Sequence, residues 1–142
     1  MVIQGCIYGV LNIVNNRKII ETKLSPKAIG AYSQAVKSNG FLYTSGQIPL
    51  DPDSGIIVSD KIEDQINQVF KNISGILKSE NLDLNNIIKL TVFIIDLNDF
   101  DILNKIFNEN FDNNYFPARS VVQVSRLPKD SKIEIEVVAS YY

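Results

Sequence analysis

The 142-residue chain has no histidine, no tryptophan, one cysteine and one methionine. Each shortage closes off chemistry. Without histidine there is no Ser-His-Asp or Cys-His nucleophilic grouping, and Cys6 alone cannot build a zinc site. Cys6 also has no partner for an intramolecular disulfide, which points to a reducing compartment; it reads as a small apolar filler or an exposed bystander. Neither sign of charge dominates. Fourteen basic against 16 acidic side chains give a formal net charge of −2 with no Lys/Arg cluster, so nucleic acid is not an expected partner. No apolar run approaches a membrane span. No P-loop or dinucleotide glycine pattern occurs, and no Asp-rich loop has calcium or magnesium spacing, so neither cofactor nor metal is expected.

What is present suits an ordinary globular chain, 45% hydrophobic and 21% charged, long enough to bury about two-thirds of its unfolded surface. Residues 18–142 read as a single domain. Residues 1–17 read as an N-terminal extension, untidy or forming an edge strand; the alternative is a weak organelle-targeting sequence, against which stands the lack of Arg/Ser richness. The expected location is cytoplasmic.

Apolar residues recur at Ile62, Ile66, Val69, Phe70, Ile73, Ile76 and Leu77, one stripe of a helix. Asp60 with Glu63 supplies its start signal, with Ser59 as an alternative cap. Leu90-Thr91-Val92-Phe93-Ile94-Ile95 is a short β-branched run, expected as a strand buried on both faces. A second helix, capped near Asn98, shows Phe100, Leu103, Phe107 and Phe111 to the core. Segments 31–36 and 41–44 flank Asn39-Gly40, a hairpin signal. Segments 119–124 and 133–139 read as the last two strands, joined through Leu127-Pro128-Lys129-Asp130; segment 18–22 reads as the first. The fold class is therefore α+β, a mostly antiparallel sheet with two helices packed on one face. Val121, Val122, Val137 and Val138 place apolar atoms on both faces of their strands, so the uncovered face predicts a homo-oligomer, with a closed ring favoured.

In a chain so short of reactive side chains, Arg119 and the acidic strand Lys132-Ile133-Glu134-Ile135-Glu136 stand out. Their segments read as neighbouring strands, which would place a guanidinium and a carboxylate in one crevice. Alternation sends Glu134 and Glu136 to one face, where a carboxylate must meet Arg119, Arg126 or a ligand. Two readings stay open on periodicity: a structural ion pair between subunits, or a site for a small acid. Thr44-Ser45-Gly46-Gln47-Ile48-Pro49 is a strand running into Gly and Pro, either an ordinary strand end or a place where backbone amides approach a ligand. Asp51-Pro52-Asp53-Ser54-Gly55 reads as a turn without chemistry.

Five blocks, Ala28-Ile29-Gly30-Ala31-Tyr32-Ser33-Gln34-Ala35, Tyr43-Thr44-Ser45-Gly46-Gln47-Ile48-Pro49, Thr91-Val92-Phe93-Ile94-Ile95-Asp96-Leu97-Asn98-Asp99-Phe100, Phe116-Pro117-Ala118-Arg119-Ser120 and Leu127-Pro128-Lys129-Asp130 with Lys132-Ile133-Glu134-Ile135-Glu136, fall in one order and spacing. On them, residues 18–142 resemble the reactive intermediate deaminase family, also called Rid or YjgF. The resemblance implies a chorismate-mutase-like (YjgF-like) fold and a homotrimer with active sites between subunits. It also implies hydrolysis of 2-imino acids or their enamines, 2-iminobutanoate and 2-iminopropanoate, to 2-oxo acids and ammonia. Under it, Arg119 matches the carboxylate-binding arginine and Glu134 the acid that holds or activates water, while Tyr32, Ser45, Gly46 and Asn104 match cleft-lining positions. Val121 departs from the family pattern: many members carry cysteine there, so a thiol role is impossible in this chain. The rival readings are a non-catalytic small-acid-binding regulatory module and a ribonuclease or translation inhibitor.

Overall fold

The computed structural model describes residues 17–111 and 115–142. The expected N-terminal extension therefore lies outside the described residues, apart from Arg17. In chain order the elements are β1 (Lys18–Ile20), β2 (Ala35–Ser38), β3 (Phe41–Thr44), α1 (Ile62–Ser79), β4 (Ile87–Ile94), α2 (Phe100–Asn110), β5 (Ala118–Gln123) and β6 (Ile133–Ser140). They form one six-stranded sheet in the order β1-β2-β3-β6-β4-β5. Only β4 and β5 run parallel, with α2 as the crossover that a parallel pair requires. The sheet is thus mixed but mostly antiparallel, as the sequence indicates.

The β2–β3 hairpin closes where expected. Asn39 (φ 50°) and Gly40 (φ 81°) both take the left-handed conformation of a two-residue turn. Strand β2 begins at Ala35 rather than 31: Ser45 N still donates to Gln34 O beside the strand, but before that the chain bends, with Tyr32 N donating to Gly30 O. The helix starts also differ in detail. Lys61 is the cap residue of α1 and has no side-chain cap; Ser59 Oγ instead accepts from Lys61 N at 3.1 Å, and Gln65 Nε2 donates to Ser59 O at 2.8 Å. Asp96, not Asn98, caps the short 3-10 turn before α2, accepting from Asn98 N at 2.9 Å.

Both helices pack on one face of the sheet. The α1 stripe is buried from Ile66 to Leu77, and Leu103, Ile106 and Phe107 of α2 join it. Phe70, Phe107 and Phe111 meet at centroid separations of 5.1 to 5.9 Å, within the range favoured by aromatic pairs. Phe100 is the exception to the expected stripe, 37% exposed at the edge of α2. Its position matters for the site.

The topology overturns one expectation. Strand β4 lies between β5 and β6, so the Arg119 strand and the Glu134 strand are not neighbours. Register adds a second separation. Arg119 pairs with Leu90, which pairs with Val137, and all three face the helices. Val122 pairs with Phe93, which pairs with Glu134, on the opposite face. The guanidinium and the carboxylate therefore leave the sheet on opposite sides. The run 90–95 is also not buried on both sides: Leu90, Val92 and Ile94 are buried, whereas Thr91 and Phe93 are only half-buried because no helix among the described residues covers their face. That face leaves Tyr43 46% and Val122 44% exposed, an apolar surface left uncovered within one chain.

Candidate functional site

One cluster of candidate residues forms around Glu134. An isolated bridge, Gln47 N to Ile135 O at 2.8 Å and Ile135 N to Gln47 O at 3.1 Å, lays the chain after β3 against β6. Gly46 is thereby pressed onto the Glu134 carboxyl so closely that a Cβ at position 46 would overlap Glu134 Oε1. The bonds from Ser45 N and Gln47 N leave the Gly46 amide between them without a backbone partner among the described residues. Ser45 Oγ donates to Ser33 O at 2.6 Å, so toward a ligand this hydroxyl can only accept. Tyr32 OH accepts from Ile29 N at 3.4 Å, and its own proton has no acceptor among the described residues.

These residues line a cavity of about 340 Å³, together with Pro26, Ile48, Leu50 and Pro128. The volume and the largely apolar wall are those of a small-molecule pocket. Buried amides hold its loops. Gln34 Nε2 donates to the carbonyls of Thr22, Ser25 and Pro26, and Gln34 Oε1 accepts from Thr22 N. Ser25 Oγ donates to Gln47 Oε1, and Asn72 Nδ2 on α1 donates to the carbonyls of Ile48 and Leu50. Burial, followed by the neighbouring charge of Glu136, pushes the Glu134 carboxyl above its ordinary pKa.

A second cluster forms around Arg119 at the sheet edge. Its Nη2 donates to Asn104 Oδ1 on α2 at 2.8 Å, and its Cζ lies 4.6 Å from the Phe107 ring centroid and 5.5 Å from that of Phe100. Burial holds the guanidinium pKa below its usual value. No acid pairs with Arg119 among the described residues: Arg126 takes Asp130 at 2.6 Å, and Glu134 meets neither arginine. A second cavity of about 510 Å³, lined by Asn104, Phe107, Asn108, Phe116, Pro117 and Arg119, opens beside it.

Of the sequence-predicted residues, then, Tyr32, Ser45, Gly46 and Glu134 share one cavity, and Asn104 and Arg119 share another. The two groups do not meet within one chain. Gln34, Gln47 and Lys129 were not singled out by sequence reasoning, although all three lie inside the quoted blocks. Their signal was the block itself rather than any charge or periodicity.

A sheet of this topology with both helices on one side, carrying a carboxylate pocket and a separate arginine cleft, defines the class of protein. The family described as Endoribonuclease L-PSP matches residues 22–141, and the chain belongs to it. The chain is 47% identical to human 2-iminobutanoate/2-iminopropanoate deaminase over 87% of its own length and 89% of that protein's. It is 48% identical to the Rid-family protein YyfA of Yersinia pestis (TM-score 0.85; 87% of this chain, 98% of that one). It is 46% identical to the structure of Escherichia coli TdcF with bound serine (TM-score 0.81; 87% and 98%).

Proposed function

We propose that this chain hydrolyses 2-imino acids and their enamine tautomers to 2-oxo acids and ammonia, as the name of the human relative states for that protein. The observation that carries the reading is the Glu134 carboxyl, seated against Gly46 in an apolar pocket and pushed toward its protonated form, with no cation paired to it among the described residues. A carboxyl so tuned can act as base and then acid. The substrate enters as the protonated imine, and the Glu134 carboxylate takes a proton from water as the water oxygen bonds to the imine carbon, giving a neutral carbinolamine. The proton on Glu134 then passes to the amino group of the resulting carbinolamine. The C–N bond breaks, ammonia leaves, and loss of the hydroxyl proton gives the 2-oxo acid. The Gly46 amide and Tyr32 OH orient the water and the imine, with Ser45 Oγ as an acceptor. Arg119, preset by Asn104 and Phe107, grips the substrate carboxylate through a two-pronged, charge-assisted contact.

Because the two groups leave opposite faces of the sheet, the reading needs a second copy of the chain to bring Arg119 of one subunit to Glu134 of the next. The uncovered face bearing Tyr43, Phe93, Val122 and Val138 supports this, since it is apolar and borders Glu134. The assembly proposed is a homotrimer with three such clefts. Subunit mixing tests it. Arg119→Ala and Glu134→Gln are each inactive alone, and refolding them together restores about a quarter of wild-type turnover, one intact cleft in each mixed trimer. No recovery on mixing sinks the shared site.

Binding without turnover is the second reading, favoured by the TdcF structure with bound serine. Release of 2-oxobutanoate from freshly generated 2-iminobutanoate, faster than in buffer, decides between them. Ribonuclease activity, despite the family's description, has little support from a net charge of −2 and a chain without histidine. The proposed location is cytoplasmic, resting on the single cysteine; no helix among the described residues is long and apolar enough to cross a membrane.

A further inference from the structure

The rim of the Glu134 pocket carries more positive charge than the deaminase reading uses. Among the lining residues Glu134 is the only acid, while Lys27 and Lys129 are both bases. Neither lysine forms an ion pair among the described residues. The Lys129 ammonium donates to the carbonyl of Gly55 at 3.0 Å, an exposed and neutral acceptor. That carbonyl is held out by the turn in which Asp51 Oδ1 accepts from Asp53 N and Ser54 N and Gly55 N donates to Asp51 O.

The backbone beneath Lys129 is unusual. Lys129 (φ 56°, ψ 24°) and Asp130 (φ 54°) are consecutive left-handed residues, and neither is glycine or asparagine. Such conformations persist only where the surroundings impose them, and they gather at ligand-binding positions. Here the turn is fixed by Asp130 N to Leu127 O and Ser131 N to Pro128 O, and by the Arg126 to Asp130 ion pair. Its effect is to set Lys129 beside Pro128 on the wall of the cavity, with its ammonium on the exposed Gly55 carbonyl.

We propose that Lys129, with Lys27, makes the mouth of the Glu134 pocket a second anion-recognising element, so that the site takes dicarboxylic 2-imino acids whose distal carboxylate lies one or two methylenes beyond the imine carbon. This rests on the deaminase reading and names the substrate class for it. Arg119 holds the carboxylate next to the imine, and Glu134 works at the imine carbon. The methylenes lie on Ile48, Leu50 and Pro26, and the distal carboxylate takes the Lys129 ammonium from Gly55. Exchanging a neutral acceptor for an anion makes the contact charge-assisted and so strengthens it. Nothing comparable meets the methyl end of 2-iminobutanoate.

The test generates imines in place with amino-acid oxidases, 2-iminoglutarate from glutamate and 2-iminobutanoate from 2-aminobutyrate, with semicarbazide competing for them. Wild type, Lys129→Met and Lys129→Arg are compared. The expected result is a roughly tenfold fall in the ratio of kcat/KM for 2-iminoglutarate to that for 2-iminobutanoate in Lys129→Met, about 1.4 kcal/mol of selectivity. Lys129→Arg, which keeps the charge, retains most of the ratio. An unchanged ratio in Lys129→Met overturns the proposal and leaves Lys129 as a tether between two loops. If the wild type hydrolyses neither imine, the deaminase reading itself fails, and calorimetry with the 2-oxo acids judges the mouth alone. Tighter binding of 2-oxoglutarate than of 2-oxobutanoate, erased by Lys129→Met, upholds it. Equal binding of the two by the wild type overturns it.

Discussion

Gly46→Ala separates the chemistry of the Glu134 pocket from its stability. Gly46 does not lie in the left-handed region, so alanine fits its backbone, and the loss of glycine's freedom in the unfolded chain favours folding by about 0.4–1 kcal/mol. The added methyl has nowhere to go except into Glu134: it overlaps Oε1 and sits 2.7 Å from Cδ. Restoring ordinary contact moves the carboxyl by about 1 Å, which a flexible side-chain end accomplishes cheaply by rotation. A displacement of about 1 Å in a positioned catalytic group costs on the order of 10²-fold in rate. The variant is therefore expected to unfold at nearly the wild-type urea concentration while kcat/KM for 2-iminobutanoate falls about 100-fold, or about 2.7 kcal/mol. The double variant with Glu134→Gln should be no worse than Glu134→Gln alone, because the methyl then acts on a group already disabled. A Gly46→Ala protein within about threefold of wild-type turnover refutes the placement of Glu134 in the mechanism.

Arg119→Lys should keep the fold but lose most activity, since a point charge reproduces neither the two-pronged grip nor the stacking on Phe107; steady-state kinetics against thermal melts check this. Glu134→Gln should raise stability at neutral pH while removing turnover. A carboxyl whose folded pKa is raised stabilises the fold below the ordinary value of 4.5 and loses that contribution as pH rises through the raised value, so urea titrations at pH 7 favour the amide. Glu80 has the opposite sign. Burial opposes its ionisation, but hydrogen bonds from Lys18, Tyr141 and Lys37 more than offset this and hold its pKa below 4.5. Its stabilisation is full above that value and is lost as pH falls through the lowered one, and Glu80→Gln should flatten the acid limb of the stability curve. Gly75→Ala should destabilise by about 1–3 kcal/mol without touching kcat, because its Cβ meets the backbone of Leu24, which cannot rotate aside.

Local patterns in the sequence carried the helices, the Asn39-Gly40 hairpin and the terminal strands, because each rests on a periodicity of two or 3.6 or on a residue that takes positive φ. Strand order was not legible in this way. Nothing local in 119–124 or 133–139 says that β4, earlier in the chain, inserts between them; that follows from the β4–β5 crossover through α2. Alternation placed Glu134 and Glu136 correctly on one face but could not tell that Arg119 leaves by the other, since the face of an isolated strand is defined only once its partner's register is known. The uncharged supports were hidden for a different reason. Gln34, Gln65 and Asn72 look like surface residues by composition, yet they are buried because loops need their carbonyls and amides satisfied where no strand partner is at hand. The same separation of Arg119 from Glu134 that defeats the simple reading of one crevice gives the uncovered face its meaning. Among the described residues no acid meets the guanidinium on one side of the sheet and no cation meets the carboxyl on the other; under the assembly proposed above, the apolar surface beside that carboxyl is the element that selects which copy supplies the missing part.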